Sequence, residues 1–261
     1  MINPVAFTIF GIDVMWYGIL VTLGIYLGVL SVSKLADGSR GITSDDILDL
    51  CLIMIPVAVL TTRLWFVIFY DLEYYLQNPI QILNFREGGL AIHGGIIGGI
   101  IVVLLFSKKK NIDFLYLFDI LSPGLALGQA IGRWGNYTNH EAHGGPTDLP
   151  WGIMVDGVKV HPTFLYESII TFSLFLYLYF YLSKNKKFDG QMCSIYLIGY
   201  GIARLLIEPL RTDNLMVGDL RIARIISLIF VIIGVGIYFY GKKNKKLPTL
   251  NKNNKKIIKN K

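Results

Sequence analysis

Seven runs of about twenty mainly apolar residues, parted by short polar segments, constrain this chain more than any other feature. They are Val14–Lys34, Asp46–Tyr70, Leu90–Ser107, Phe114–Trp134, Pro162–Ser183, Gly190–Leu210 and Leu220–Gly241. In lipid a backbone must satisfy its own hydrogen bonds, so each run is predicted to be a helix spanning the bilayer. The expected fold is an all-α polytopic membrane protein with about seven transmembrane helices. Composition agrees: 53% of the 261 residues are hydrophobic and only 16% charged, too little charge for an ordinary soluble domain of this length.

Charge between the runs sets the expected orientation. Lys34 and Arg40 follow the first run, Lys108 to Lys110 the third, and Lys184, Lys186 and Lys187 the fifth. The other connections balance bases with acids: Asp71, Glu73, Arg86 and Glu87; then Arg133, Glu141, Asp148, Asp156 and Lys159; then Arg211, Asp213, Asp219 and Arg221. The positive-inside rule puts the N-terminus outside and the C-terminus in the cytoplasm. Residues 1–241 are read as one transmembrane catalytic domain and residues 242–261, rich in Lys and Asn, as a disordered basic cytoplasmic tail. That tail carries much of the net charge of +7, so no nucleic-acid partner is implied. Met1 to Val14 has no Lys or Arg and so lacks the charged start of a signal peptide; it is expected to lie at the membrane surface. Cys51 and Cys193 both fall in apolar runs and read as small buried hydrophobes, without a disulfide or a zinc site.

Ionisable residues in a span cost roughly 2.5–3.5 kcal/mol each on insertion scales. With this orientation most of them gather at one depth, toward the outer face: Tyr17, Arg63, His93, Arg133, Glu167, Arg204, Glu208 and Arg224. Asp119, in the inner half of the fourth run, is the exception. Arg63, Arg224 and Asp119 are expected to be structural, and the rest to form a site. Arg204, Glu208 and Arg211 share one helical face by their i, i+4, i+7 spacing. Gly124, Gly128 and Gly132 form a small-residue face leading to Arg133, and the pairs Gly94/Gly98 and Gly95/Gly99 follow His93. Such faces serve close helix packing. Two arginines at headgroup depth suit a lipid phosphate, and a nearby Glu would hold one in position.

Three motifs carry a resemblance. They are His93-Gly94-Gly95; the run Gly132-Arg133-Trp134-Gly135-Asn136-Tyr137-Thr138-Asn139-His140-Glu141 with Gly144; and His161-Pro162-Thr163-Phe164-Leu165-Tyr166-Glu167, joined further on by Arg204, Glu208-Pro209 and Arg211-Thr212-Asp213. Together they resemble the prolipoprotein diacylglyceryl transferase family, in order and over most of the chain. Tyr137 and Thr138 depart from the usual signature, where Phe and an apolar residue are common. The resemblance implies an enzyme of the bacterial plasma (inner) membrane that moves the diacylglyceryl group of phosphatidylglycerol onto the lipobox cysteine of a prolipoprotein. A thioether forms and glycerol phosphate leaves, with no metal or organic cofactor. By the same resemblance His93, Arg133, Arg204 and Tyr17 are the catalytic candidates. Arg133, Asn136, Glu141, Gly144 and Glu208 are the candidates for binding phosphatidylglycerol.

On this reading the two arginines stabilise charge growing on the leaving phosphate, and His93 accepts the thiol proton. His140, Glu141 and His143 lack the spacing of a zinc helix. Two rivals stay open. A CDP-alcohol phosphotransferase would need an Asp-rich metal motif, which Asp37-Gly38-Ser39-Arg40 and Asp45-Asp46 do not form. A membrane transporter or lipid-binding scaffold would account for intramembrane charge but not for the Gly-Arg-x-Gly-Asn run.

Overall fold

The computed structural model describes residues 3–36, 38, 40–70, 72–85, 88–212, 216–217 and 220–244. Seven of its helices are long and apolar enough to cross a membrane: Trp16–Ser33, Ser44–Tyr70, Ile92–Lys110, Phe114–Thr138, Thr163–Asn185, Gln191–Leu210 and Ile222–Asn244. The protein is therefore a polytopic, mostly helical membrane protein. Large side chains such as Leu52, Leu206 and Ile232 face outward, the arrangement a lipid solvent favours.

Contacts divide the chain into two compact units. The first holds residues 1–35 and 118–261. It opens with strands β1 (Val5–Ile9) and β2 (Ile12–Met15), an antiparallel hairpin that hands directly into α1 (Trp16–Ser33). The sequence reading expected only a surface segment there. The Phe10-Gly11 turn has positive φ at both residues, the geometry of tight hairpins. From residue 118 the unit takes in most of α5 (Phe114–Thr138), then strands β3 (Ile153–Val155) and β4 (Val158–Val160). Helix α6 (Thr163–Leu176) continues through a π-helical stretch, Tyr177–Leu182, into α7 (Ser183–Asn185). Helix α8 (Gln191–Ile207) ends in a 3-10 turn at Glu208–Leu210, and α9 (Ile222–Asn244) packs along α8.

Two contacts fix this unit. Gly24 and Gly28 of α1 meet Gly124 and Gly128 of α5 so closely that a Cβ on Gly28 would lie 2.9 Å from the Gly124 carbonyl oxygen. Ala126, Leu127, Phe175, Leu178, Leu182, Met192 and Tyr196 form a core between α5, the α6–α7 segment and α8. Asp119, fully buried on α5, accepts hydrogen bonds from the backbone N–H of Gly190 and of Cys193, each at 2.9 Å, and pairs with Lys186 at 3.0 Å. It caps the start of α8, the structural role expected for it.

The second unit holds residues 36–117: α2 (Ser44–Tyr70), the short α3 (Leu72–Gln77), a 3-10 turn at Pro79–Leu83, and α4 (Ile92–Lys110). Gly94 and Gly98 seat α4 against Thr61 of α2. Buried Arg63 donates to four backbone carbonyls, of Gln81, Ile82, Gly88 and Gly89, and so holds the loop before α4. That too is structural.

Pro123 does not break α5, which runs four residues past its expected end at Trp134. The expected tail also begins later, because α9 continues to Asn244. Residues 245–261 lie outside the described residues, as do Asp37, Ser39, Asp71, Arg86, Glu87, Asp213 and Asp219.

Candidate active site

The extension of α5 matters for the site. Arg133 and Asn136 stand at i and i+3 on one helix face, and an Arg133 Nη1 donates to Asn136 Oδ1 at 3.4 Å. The helix closes in a Schellman arrangement: Glu141 N–H donates to the Asn136 carbonyl at 3.1 Å and His140 N–H to that of Tyr137 at 3.3 Å. His140 takes the left-handed conformation, φ 56°, usually given to Gly. This turn folds Glu141 back over the helix end, where its Oε1 accepts from Asn136 Nδ2 at 3.0 Å and from Asn139 Nδ2 at 3.5 Å. The result is a chain of bonds from Arg133 through Asn136 to Glu141.

Tyr17 is in the first turn of α1. Its ring lies against Gly135, where an added Cβ would be 2.7 Å from the ring, and Arg133 and Glu141 are its charged neighbours. Tyr200, one turn before Arg204 on α8, is a further polar neighbour of Arg133.

The centre of the cluster is Glu167, one turn into α6 and 2% exposed. Arg133 Nη2 is 2.6 Å from its Oε2, and Arg204 Nη1 is 2.6 Å from its Oε1. Arg211 Nη1 reaches the same Oε1 at 3.2 Å. A second buried carboxylate, Glu208, holds Arg204 Nη2 at 3.0 Å, and its backbone carbonyl accepts from Arg221 at 2.7 Å. So Arg133, Arg204 and Arg211 surround Glu167, and Arg204 links it to Glu208. Burial of so many charges is tolerable only because each is paired. The side chains of Arg133 and Arg204 keep 22% and 15% of their surface open, enough to meet a ligand.

Loop and strand residues brace this arrangement. Gly144 forms a bridge to Arg211, and its N–H donates to the His161 carbonyl at 2.9 Å. A Cβ there would strike His161 and the Leu210 carbonyl, so its place is one of backbone packing. Thr163 Oγ1 donates to the Ala142 carbonyl at 2.6 Å, and Pro162 stands at the N-cap position of α6. A cavity of about 430 Å³ opens beside Asn136 and Glu141, walled by Tyr137, Phe164 and the β3–β4 hairpin.

The structure thus brings Tyr17, Arg133, Asn136, Glu141, Gly144, Arg204 and Glu208 into one unit. His93 belongs to the other, in the first turn of α4, with its ring 6.5 Å from that of Trp65. The 3-10 turn at Pro209 ends the helical face on which Arg211 was expected, and Arg211 reaches Glu167 from extended backbone instead. Sequence reasoning placed Glu167 at the depth of the site and in a motif, but gave it no partner and no role. Its motif, His161 to Glu167, was the available signal. The hairpin wall was missed although Asp156-Gly157 between two valines is a strong hairpin signature. Among the described residues no three His, Cys, Asp or Glu side chains are placed to share a metal ion.

The sequence model of the family described as prolipoprotein diacylglyceryl transferase matches residues 4–240. The chain is 56% identical over 244 residues to the phosphatidylglycerol–prolipoprotein diacylglyceryl transferase of Clostridioides difficile (strain 630), covering 93% of this chain and 97% of the relative. It is 51% identical to the protein of that name from Finegoldia magna, covering 92% and 96%. With one from Bacillus cereus (strain 03BB102) the identity is 46%, over 85% and 86%.

Proposed function

This chain belongs to the prolipoprotein diacylglyceryl transferase family, and from that premise we propose how its residues carry out the transfer. The enzyme is a transferase of lipoprotein biosynthesis, acting on phosphatidylglycerol and prolipoproteins from within a bacterial membrane. The phosphate of phosphatidylglycerol binds the open faces of Arg133 and Arg204, with Asn136, Glu141 and Tyr17 beside it.

The observation that supports this most is the convergence of Arg133 and Arg204 on Glu167. Two guanidiniums fixed by one carboxylate present a preorganised fork of donors to an oxyanion. The lipobox cysteine thiol, with an ordinary pKa of about 8.5, reacts as thiolate. Its sulfur attacks the diacylglycerol carbon bonded to the phosphate oxygen. A carbon–sulfur bond forms and the carbon–oxygen bond breaks, with the electron pair leaving on glycerol phosphate. Each fixed donor on that phosphate contributes about 10²–10³ in rate. His93 takes the thiol proton, a role to which an imidazole is suited.

The same reading places the enzyme in the plasma membrane, N-terminus outside and C-terminus cytoplasmic, with the arginine cluster toward the outer face, where a secreted prolipoprotein presents its lipobox. Residues 1–241 act as one catalytic domain. Glu208 and Gly144 act as supports, one by ion pairing and the other by allowing close backbone packing.

The test uses purified protein in detergent with phosphatidylglycerol and a synthetic lipobox peptide. Mass addition to the peptide cysteine and release of glycerol phosphate are measured for the wild type and for Arg133→Ala. Loss of both by about 10²-fold or more in a folded variant is expected. Full activity in Arg133→Ala would remove the phosphate from this site.

A further inference from the structure

We propose that the outer edge of strand β3 is the docking strand for the prolipoprotein: the segment around its lipobox cysteine lies extended beside Met154, in the cavity that begins at Asn136. This rests on the reading that the lipid phosphate binds Arg133 and Arg204.

The hydrogen bonds of the hairpin tell which edge is open. Val155 and Val158 flank a two-residue turn, Asp156-Gly157, with φ of 48° and 81°. In such a turn the flanking pair exchanges both backbone bonds, and so does the pair two residues back, Ile153 and Val160. Met154 and Lys159, between them, form the pair that exchanges none, so their N–H and C=O groups point out of the hairpin on opposite sides. On the β4 side that row is taken: the Lys159 carbonyl accepts from Thr147 N–H at 2.9 Å, and His161 N–H donates to the Gly145 carbonyl at 3.0 Å. On the β3 side, among the described residues, no backbone partner is present. Ile153-Met154-Val155 also lacks the charge or proline that commonly guards an edge.

The cavity of about 430 Å³ lies along this edge. Its wall takes in every residue from Ile153 to Gly157 and none of β4, with Tyr137, Phe164 and the end of α5 across from them. A strand edge offers an N–H and a C=O at each outward residue, a pattern that an extended peptide matches and a glycerol or an acyl chain does not. Among the described residues the wall holds two acids, Glu141 and Asp156, and neither Lys nor Arg, which disfavours an anionic headgroup there. Asn136 belongs both to this wall and, through its bond to Arg133 at 3.4 Å, to the phosphate site. A peptide lying on β3 therefore delivers its cysteine beside the lipid. Recognition of this kind reads main chain before side chains.

The experiment replaces the amide N–H groups of the synthetic lipobox peptide, one at a time, by ester oxygen and measures transfer by the wild type in detergent. An ester at one position, or at two positions two residues apart, is expected to raise KM for the peptide about tenfold with kcat little changed. Esters at the adjacent positions change KM by less than about twofold. Met154→Pro removes the outward N–H and none of the bonds within the hairpin. It is expected to raise KM for the peptide about tenfold and to leave KM for phosphatidylglycerol unchanged. The variant and the sensitive ester together cost less than the product of their separate effects. A flat scan, or one in which neighbouring esters cost the same, overturns the inference. So does a folded Met154→Pro variant with an unchanged KM for the peptide, or one that weakens phosphatidylglycerol instead, which would give the cavity to the lipid headgroup. If that variant does not fold, the wild-type scan decides alone. The underlying reading fails separately: full transfer by Arg133→Ala with the ester pattern intact would move the phosphate and leave the peptide on β3.

Discussion

Arg133 and Arg204 divide the two oxygens of a single carboxylate between them: one lies 2.6 Å from Oε2 of Glu167 and the other 2.6 Å from Oε1. Their separation and tilt are therefore set by a group that takes no part in the bond changes. Arg204 also spans two acids, with Nη1 on Glu167 and Nη2 on Glu208. A lysine ammonium is a single point and cannot occupy both positions at once. Arg204→Lys is expected to keep the fold but lower transfer by about 10²-fold. Peptide lipidation followed by mass spectrometry, beside thermal unfolding in detergent, checks both parts.

Gly135 leaves room for the Tyr17 ring. A methyl group there would stand 2.7 Å from ring carbon Cδ2, closer than carbon atoms pack. Gly135→Ala should therefore displace Tyr17 from beside Arg133. Transfer is expected to fall by about tenfold or more, with a stability loss of about 1–3 kcal/mol. Retention of full activity would show that the ring position is unimportant.

Much of the fold was legible because a bilayer imposes one demand on every span. Each apolar run became a helix, with ends shifted by only a few residues. What the runs did not reveal was azimuth. Arg204 and Glu208 are four residues apart, so their pairing followed from helical spacing. Arg133 and Glu167 lie on different helices, and nothing in either helix alone says that they face each other. Depth was readable and partnership was not. The hairpin from Val5 to Met15 lay inside a segment expected only at the membrane surface, and its alternation, Phe7-Thr8-Ile9 against Ile12-Asp13-Val14, spans too few residues to mark a strand. His93 was found by its depth and its motif.

Asp119 anchors the opposite end of α5 from Arg133, about 21 Å away along the helix. Asp119→Ala removes one of the carboxylate partners of Lys186, leaving Asp189, and both accepting contacts at the start of α8. A stability loss of about 3–5 kcal/mol is expected. Activity should fall only with the folded fraction, measured by unfolding in detergent and turnover of the remaining native protein.

His93 is tested by changing the substrate. His93→Gln should slow transfer to an ordinary lipobox thiol by about 10²–10⁴-fold. A peptide whose nucleophile is already ionised at the assay pH, such as a selenocysteine analogue, should recover most of that loss. An equal defect with both peptides would give the proton to another acceptor.

The scatter of the charged cluster along the chain has a consequence for biosynthesis. A ribosome delivers Arg133 first, Glu167 a span later, and Arg204 and Arg211 only at the end of the next. During insertion Glu167 has one of its three cations until α8 has been made. An ionised residue without its full set of partners is costly within lipid. The sixth span is then as much a maturation step as a wall of the enzyme, because its arrival completes the set of cations around a carboxylate already in the membrane.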